Sequence, residues 1–438
     1  MKALPTVRQP RDFSGYREFT AELEKLLATS PTNVVWDNRV EACLNGTAGA
    51  ELRDRVDIST RRAAGAFFTG SKLSKRLLLN VPLTGDDFIY DPAMGAGDLL
   101  LAAARRLPIM RTLEGTLRMW GKSLAGTDLQ QEFVEAAKVR IALLARQRHL
   151  GSVNLPDNWN DFFPLIRVGD GLEQRGLYSR ATHIFMNPPF SISGPLASCK
   201  WAGGKISDAA LFVVRALEQV EPGTCVRAIL PDVLRSGSFQ HHWRERVSDL
   251  AKVLSVKSYG IFDESADIDV FLLNLARRPD GKSKAQRWPE SQKHENETVG
   301  DYFEVHVGRV VPHRDKEDGG EHPYIHPRCV PTWTVMRNFS ETRKYPGIVY
   351  KPPFVVIRRT SRPGHPYRAT ATVIAGKKPV AVENHLIVCE PKDKELRSCR
   401  ALMKQLKTEA VNDFLNARIC CRHLTVGAVA AIPFKSHE

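Results

Sequence analysis

No apolar run in this 438-residue chain approaches the roughly 18–20 residues that a bilayer-spanning helix needs, which argues against a membrane protein. Metal-ligand spacing is missing too. The eight cysteines are scattered, only Cys420 and Cys421 adjoin, and there is no Cys-x-x-Cys pair. Neither a disulfide framework nor a zinc site is expected, and no metal is implied. The pair at 420–421 reads as a buried thiol and its neighbour in a strand. The N-terminus has no signal-peptide h-region, so a reducing, cytoplasmic compartment is expected. No internal repeat is visible.

Positive charge is what the chain has in excess. The formal net charge is +14, and it is unevenly spread. Residues 331–438 contain 19 Lys plus Arg against 8 Asp plus Glu, a difference of +11. Density peaks at Lys351, Arg358, Arg359, Arg362 and Arg368, interleaved with Phe354 and Tyr367. Cations among aromatics and turn residues suit a nucleic-acid surface, where Lys and Arg neutralise phosphates and some Arg reach base edges. Any one of these side chains could equally be part of a solvated face.

Three short apolar runs end in an acid and a fourth ends in Asn. The run over 88–90 leads into Asp91-Pro92-Ala93-Met94-Gly95-Ala96-Gly97-Asp98, and an apolar stretch from Leu99 follows as a helix start. Strand, glycine-rich turn and helix bring backbone N–H groups to a ligand. The spacing is not the dinucleotide fingerprint, and carboxylates at Asp91 and Asp98 would repel a pyrophosphate. They suit a ligand with an ammonium or sulfonium and hydroxyls, which points to S-adenosylmethionine. A second strand over 124–128 ends in Asp128, followed by Leu129, where a carboxylate binds ribose hydroxyls. A third ends in Asp170-Gly171, placed to accept from an adenine amine. Singly, Asp128 and Asp170 would each read as a turn acid or helix N-cap. A fourth run, 184–186, ends in Asn187-Pro188-Pro189-Phe190. There an Asn oxygen and a backbone carbonyl can both accept from a planar primary amine, prolines remove competing donors, and an aromatic face can stack on a ring. All four ends should line one edge of one sheet.

Through these motifs together, the chain resembles the amino-methylating DNA methyltransferases that form N6-methyladenine. The order of cofactor loop, Asn-Pro-Pro-Phe loop and basic C-terminal region is similar to the gamma arrangement. Type I restriction–modification methylase subunits and several type II enzymes share it. Gly65-Ala66-Phe67-Phe68-Thr69-Gly70, with a helix over 71–79, resembles the segment that precedes the cofactor loop in type I subunits. The resemblance implies that Phe68 and Thr69 lie at the methionine end of the cofactor, with Gly70 departing from the usual proline. It covers about residues 60–276 and implies the cofactor S-adenosylmethionine, double-stranded DNA as partner and nucleoid association. A restriction or specificity subunit is a further candidate partner.

The expected architecture is an α/β, Rossmann-like S-adenosylmethionine-dependent methyltransferase domain with a C-terminal α+β target-recognition domain. An N-terminal helical region covers 1–60, with an amphipathic stretch over 16–27 carrying Phe19, Leu23, Leu26 and Leu27. The catalytic domain covers 61–277, a linker 278–300 and the DNA-binding domain 301–438. Within these, 191–205 reads as a mobile loop over the substrate and 314–322 as a charged loop. Adenine would be flipped out of the duplex at a cost of a few kcal/mol. Asn187 and the Pro188 carbonyl would accept from N6 and Phe190 would stack on the ring. Direct transfer needs no nucleophile or general base, and no segment suggests a nuclease. Two other classes are open: a methyltransferase for RNA adenine or a protein glutamine amide, which present the same planar NH₂, and a non-catalytic DNA-binding module.

Overall fold

Short apolar strands that each end in a polar residue form the centre of the molecule. A computed structural model describes residues 12–29, 34–149, 154–193, 199, 201–202, 205–237, 240–262, 268–279, 288, 297–362, 365–419 and 422–435. Its main sheet contains β1 (Ile89–Asp91), β2 (Leu124–Asp128), β3 (Ile166–Val168), β4 (His183–Met186), β5 (Cys225–Pro231), β6 (Ala251–Ile261) and β7 (Asp269–Arg277). The spatial order is β3-β2-β1-β4-β5-β7-β6. The first five strands in that order run parallel, and β7 is antiparallel to both β5 and β6.

Alternate strand residues enter opposite cores, as the two-residue period of a strand requires. Ile89, Leu124, Phe185 and Ile229 face the helices Asp98–Ala104, Leu113–Ser123 and Gln131–Arg148. Tyr90, Ala125, Ile184 and Ala228 face the helices Asp208–Gln219 and His241–Leu250. The order in which strands are added therefore reverses between β1 and β4, which remain parallel: the helix after β1 lies on one face and the helix after β4 on the other. In open α/β sheets that reversal opens a crevice beyond the strand C-termini.

The N-terminal helix Tyr16–Ala28 buries the expected apolar stripe, together with Tyr16, against the first core. Arg146 of the helix Gln131–Arg148 ties down its end by donating to the Leu27 carbonyl and, at 2.9 Å, to that of Thr29.

The C-terminal part forms two further sheets, built from β8 (Phe303–Val307), β9 (Gly320–Ile325), β10 (Val335–Met336), β11 (Thr342–Tyr345), β12 (Phe354–Arg358), β13 (Ala371–Ile374), β14 (Ala381–Val382) and β15 (Leu386–Pro391). A five-stranded sheet runs β8-β15-β12-β13-β10 and a smaller one β11-β9-β14. The helices Leu396–Leu406 and Glu409–Arg418 cover one face, through Val355, Ile357, Leu402 and Leu415. The arrangement is the expected α+β.

Some sequence expectations differ from the structure. The charged loop over 314–322 runs into β9, because antiparallel pairing with β11 satisfies its backbone despite its polarity. Only the flanks of the 191–205 loop are described, as a two-stranded ribbon of Ile192–Ser193 and Ile206–Ser207 plus a few residues between. Most of 278–300 lies outside the described residues, but Trp288 is buried 5.8 Å from Trp243. Cys420 and Cys421 also lie outside them.

Candidate active site

The glycine turn after β1 is shaped by what it must approach. Gly95 has φ +51°, and a Cβ there would lie 2.8 Å from the Phe68 ring, so the ring can close on the loop only over a glycine. Gly65, at φ +65°, plays the same part beneath the Asn-Pro-Pro-Phe turn, where a Cβ would meet the Pro189 side chain at 2.6 Å. These two approaches bring the 65–70 segment against both loops.

The loops enclose a cleft of ≈ 970 Å³, counting its open mouth. Of the expected cofactor residues, Phe68, Thr69, Asp91, Pro92, Ala93, Gly95, Asp98, Asp128, Leu129, Asp170 and Gly171 line it, and Asn187 and Pro189 share the same space. Three expected residues are not part of the lining. Gly97 caps the helix Asp98–Ala104, where a Cβ would meet Ala137 at 2.9 Å. Pro188 is buried, and Phe190 sets its ring edge-on to Phe262 at 5.7 Å. The sequence reading missed Phe133, Asp208 and Phe212, which also line the cleft. Asp208 opens the helix Asp208–Gln219; its Oδ2 accepts from the Ser191 hydroxyl at 2.5 Å, and its own N–H donates to the Ser191 carbonyl at 2.9 Å. An acid in the first turn of that helix was the available signal.

Each strand-end acid is held by backbone donors. The Asp91 carboxylate accepts from Ala93 N–H at 3.1 Å, and Asp128 from Gly95 N–H at 3.0 Å and Gln130 N–H at 2.9 Å. Asp170 accepts from Leu172 N–H at 2.9 Å, capping a short 3₁₀ turn. Asp98 accepts from Gly70 N–H at 2.8 Å and pairs with the fully buried Arg140 at 2.9 Å. Burial pushes the Asp128 carboxyl up to about 6 against the pull of its N–H donors. Burial likewise holds Asp91 well above the usual carboxylate range, and the nearby Asp128 and Asp98 charges add to it.

This lining selects its ligand by charge. Five Asp line the cleft, and among the described lining residues there is no Lys, Arg or His. A phosphate would find no countercharge there. A ligand with cationic centres, hydroxyls and an amine fits, and S-adenosylmethionine has that composition.

Asn187 follows β4 and carries the site's unusual feature. Its Nδ2 donates to the Phe67 carbonyl at 3.1 Å and to Thr69 Oγ1 at 3.1 Å. Its Oδ1 is buried and has no hydrogen-bond partner among the described residues. A buried acceptor left unpaired in a native fold calls for an explanation.

The basic candidates of the C-terminal part divide by burial. Lys351 and Arg362 are exposed. Arg358 and Arg359 are half-buried and donate to the carbonyls of Val330 at 3.1 Å and Asn384 at 3.4 Å. Arg368 is a correction: it is fully buried, and its guanidinium donates to the Ser361 and Ile419 carbonyls at 2.9 Å each. From that position it cannot reach a phosphate, and its charge serves to tie three segments of the fold together.

The sheet order, with its reversal of winding between β1 and β4, and the acid-lined cleft define the fold of class I S-adenosylmethionine-dependent methyltransferases. Within it, residues 58–202 match the family described as N-6 DNA Methylase. The resemblance to N6-adenine DNA methyltransferases thus holds over the cofactor and Asn-Pro-Pro-Phe segments. Among solved structures, the chain is similar to the type IIL restriction-modification enzyme MmeI in complex with DNA. That likeness has 12% identity, covers 87% of this chain and 70% of that chain, and has a TM-score of 0.50. It is also similar to the type IIG restriction endonuclease BpuSI (14% identity, 97% and 68% covered, TM-score 0.42). A modification subunit from Vibrio vulnificus is similar at 17% identity, with 57% of this chain and 53% of that chain covered and a TM-score of 0.40. The chain therefore spans about half the length of that subunit. No curated protein matches the sequence. No helix among the described residues is long and apolar enough to cross a membrane.

Proposed function

We propose that this chain transfers a methyl group from S-adenosylmethionine to N6 of a flipped adenine in double-stranded DNA, as the modification activity of a restriction–modification system. The observation that carries the reading is the unpartnered Asn187 Oδ1 beside the acid-lined cleft. Exocyclic N6 has two N–H donors and an otherwise delocalised lone pair. Asn187 Oδ1 and the Pro188 carbonyl would accept one donor each, turning the lone pair towards the incoming methyl, an effect of orientation. Asp128 would hold the cofactor ribose, Asp170 its adenine amine, and Asp91 with Phe68 its methionine end. The sulfonium supplies an activated methyl. The amine proton leaves to water after transfer, so the site needs no base.

The C-terminal excess of +11 favours DNA over a protein glutamine amide as the carrier of the NH₂ group. The test is chemical. Incubated with methyl-labelled S-adenosylmethionine and genomic DNA from a host lacking this gene, the protein is expected to place label in N6-methyladenine. Label in N4-methylcytosine, in RNA or in protein would leave the fold reading intact and overturn the substrate.

The exposed cations of the C-terminal part are proposed to contact DNA. Lys351→Ala and Arg362→Ala should each lower the slope of log affinity against log salt by about 0.9. Arg368→Ala should leave that slope alone and instead lower unfolding stability by roughly 1–3 kcal/mol, because buried carbonyls lose their donor. Equal salt slopes in wild type and both exposed variants would move the DNA surface elsewhere.

A further inference from the structure

We propose that Thr69 is a positioning residue that holds the Asn187 amide in the orientation the Phe67 carbonyl sets. The proposal rests on the reading of Asn187 as acceptor for the substrate amine. An Asn amide can sit in two orientations that differ only in which end is O and which is N. Here the choice is forced from one side. The Phe67 carbonyl can only accept, so the group facing it at 3.1 Å must be Nδ2. Thr69 Oγ1 accepts from the same Nδ2 at 3.1 Å, and between them they occupy both amide protons. Oδ1 is thereby left as the acceptor without a partner. The reverse orientation would set two oxygens against each other at Phe67 and present a donor to a substrate that itself donates.

The Thr69 hydroxyl is free for this task. Thr69 is the N-cap of the helix Gly70–Leu77, yet its side chain makes no capping hydrogen bond. The usual structural use of a threonine at that position is absent. The segment around it has two working sides. Phe67 and Thr69 hold the catalytic loop, whereas the Phe68 ring closes on Gly95 and Gly70 N–H donates to Asp98 at 2.8 Å. Asp98 is in turn anchored by Arg140. Residues 67–70 thus join the cofactor loop to the substrate-binding amide.

Thr69→Val keeps the shape and removes the acceptor; Thr69→Ser restores it. Loss of one such hydrogen bond is expected to lower kcat about tenfold, with KM for both substrates near wild type and recovery in the serine variant. A parallel loss of cofactor affinity that serine does not repair, or an unchanged kcat, would overturn the proposal. A second measurement is independent of the substrate assignment. In full-length protein labelled with ¹⁵N-asparagine, the Asn187 side-chain NH₂ pair is identified by its loss in Asn187→Ala. Its exchange with solvent should speed up about tenfold in Thr69→Val and not in Thr69→Ser. Equal exchange in wild type and Thr69→Val sinks the positioning role even if adenine is confirmed. Label appearing on another substrate, with exchange still accelerated, sinks only the adenine reading.

Discussion

Asn187→Ala is expected to reduce methyl transfer at least about 10²–10³-fold, the scale seen when a polar group that acts on the reacting atoms is removed. Binding of cofactor and of DNA should stay close to wild type, because the strand-end acids and the C-terminal cations are untouched. The alanine variant leaves N6 with one acceptor, and its lone pair stays delocalised into the ring. Asn187→Asp is not a conservative control: it replaces Nδ2 with an oxygen facing the Phe67 carbonyl, where the two acceptors repel. It should therefore lose activity as well, despite retaining an acceptor. Single-turnover transfer of labelled methyl, with cofactor and DNA affinities measured in parallel, checks both variants. Near-wild-type transfer by Asn187→Ala would remove Asn187 from the chemistry and leave its unpaired Oδ1 unexplained.

Much of the cleft was legible because its residues sit where strands stop. β2 begins and ends where its apolar run does, whereas β3 stops at Val168, two residues short of Asp170; Asp91, Asp128, Asp170 and Asn187 still fall at or just past the ends of adjacent strands, so reading the four ends as one edge held. The fold class followed from the same pattern. What was not legible depends on contacts between residues distant in sequence. Asp98 looked like a ligand carboxylate, yet it is also paired with Arg140, 42 residues away. Thr69 looked like part of a cofactor wall, and its bond is to Asn187, 118 residues on. No local spacing contains either pair.

Charge counting misplaced Arg368 for a related reason. Arg358, Arg359 and Arg368 contribute to the +11 in the same way as Arg362, but a guanidinium has five donors and can be drawn inwards by carbonyls left without partners at strand and helix ends. Whether an Arg faces solvent or a buried carbonyl depends on where neighbouring segments end. Sequence density therefore located the basic region and could not choose among its members.

The cofactor side of the site should show its acids through pH. Asp91→Ala and Asp128→Ala are each expected to weaken S-adenosylmethionine binding by roughly 10–150-fold per lost hydrogen bond to a charged acceptor. The sign of the pH effect follows from burial. Asp128 is raised to about 6 in the folded, ligand-free protein, above its unfolded value. Its protonation therefore stabilises the fold at low pH, and that contribution is lost as pH rises through 6. A cationic, hydroxyl-bearing ligand prefers the ionised carboxylate, so affinity should rise as pH goes from 5 towards 7, by up to about tenfold per unit below 6. Burial also holds Asp91 well above the usual carboxylate range, so its ionisation on binding should add to the proton release. Calorimetry in two buffers of different ionisation enthalpy measures that release directly. Asp128→Asn, which keeps an acceptor and loses the titration, should flatten the profile around pH 6 while lowering affinity less than alanine does. Affinity independent of pH from 5 to 7.5, together with wild-type binding by both alanine variants, would show that these carboxylates do not hold the cofactor, and the acid-lined cleft would then need a different ligand.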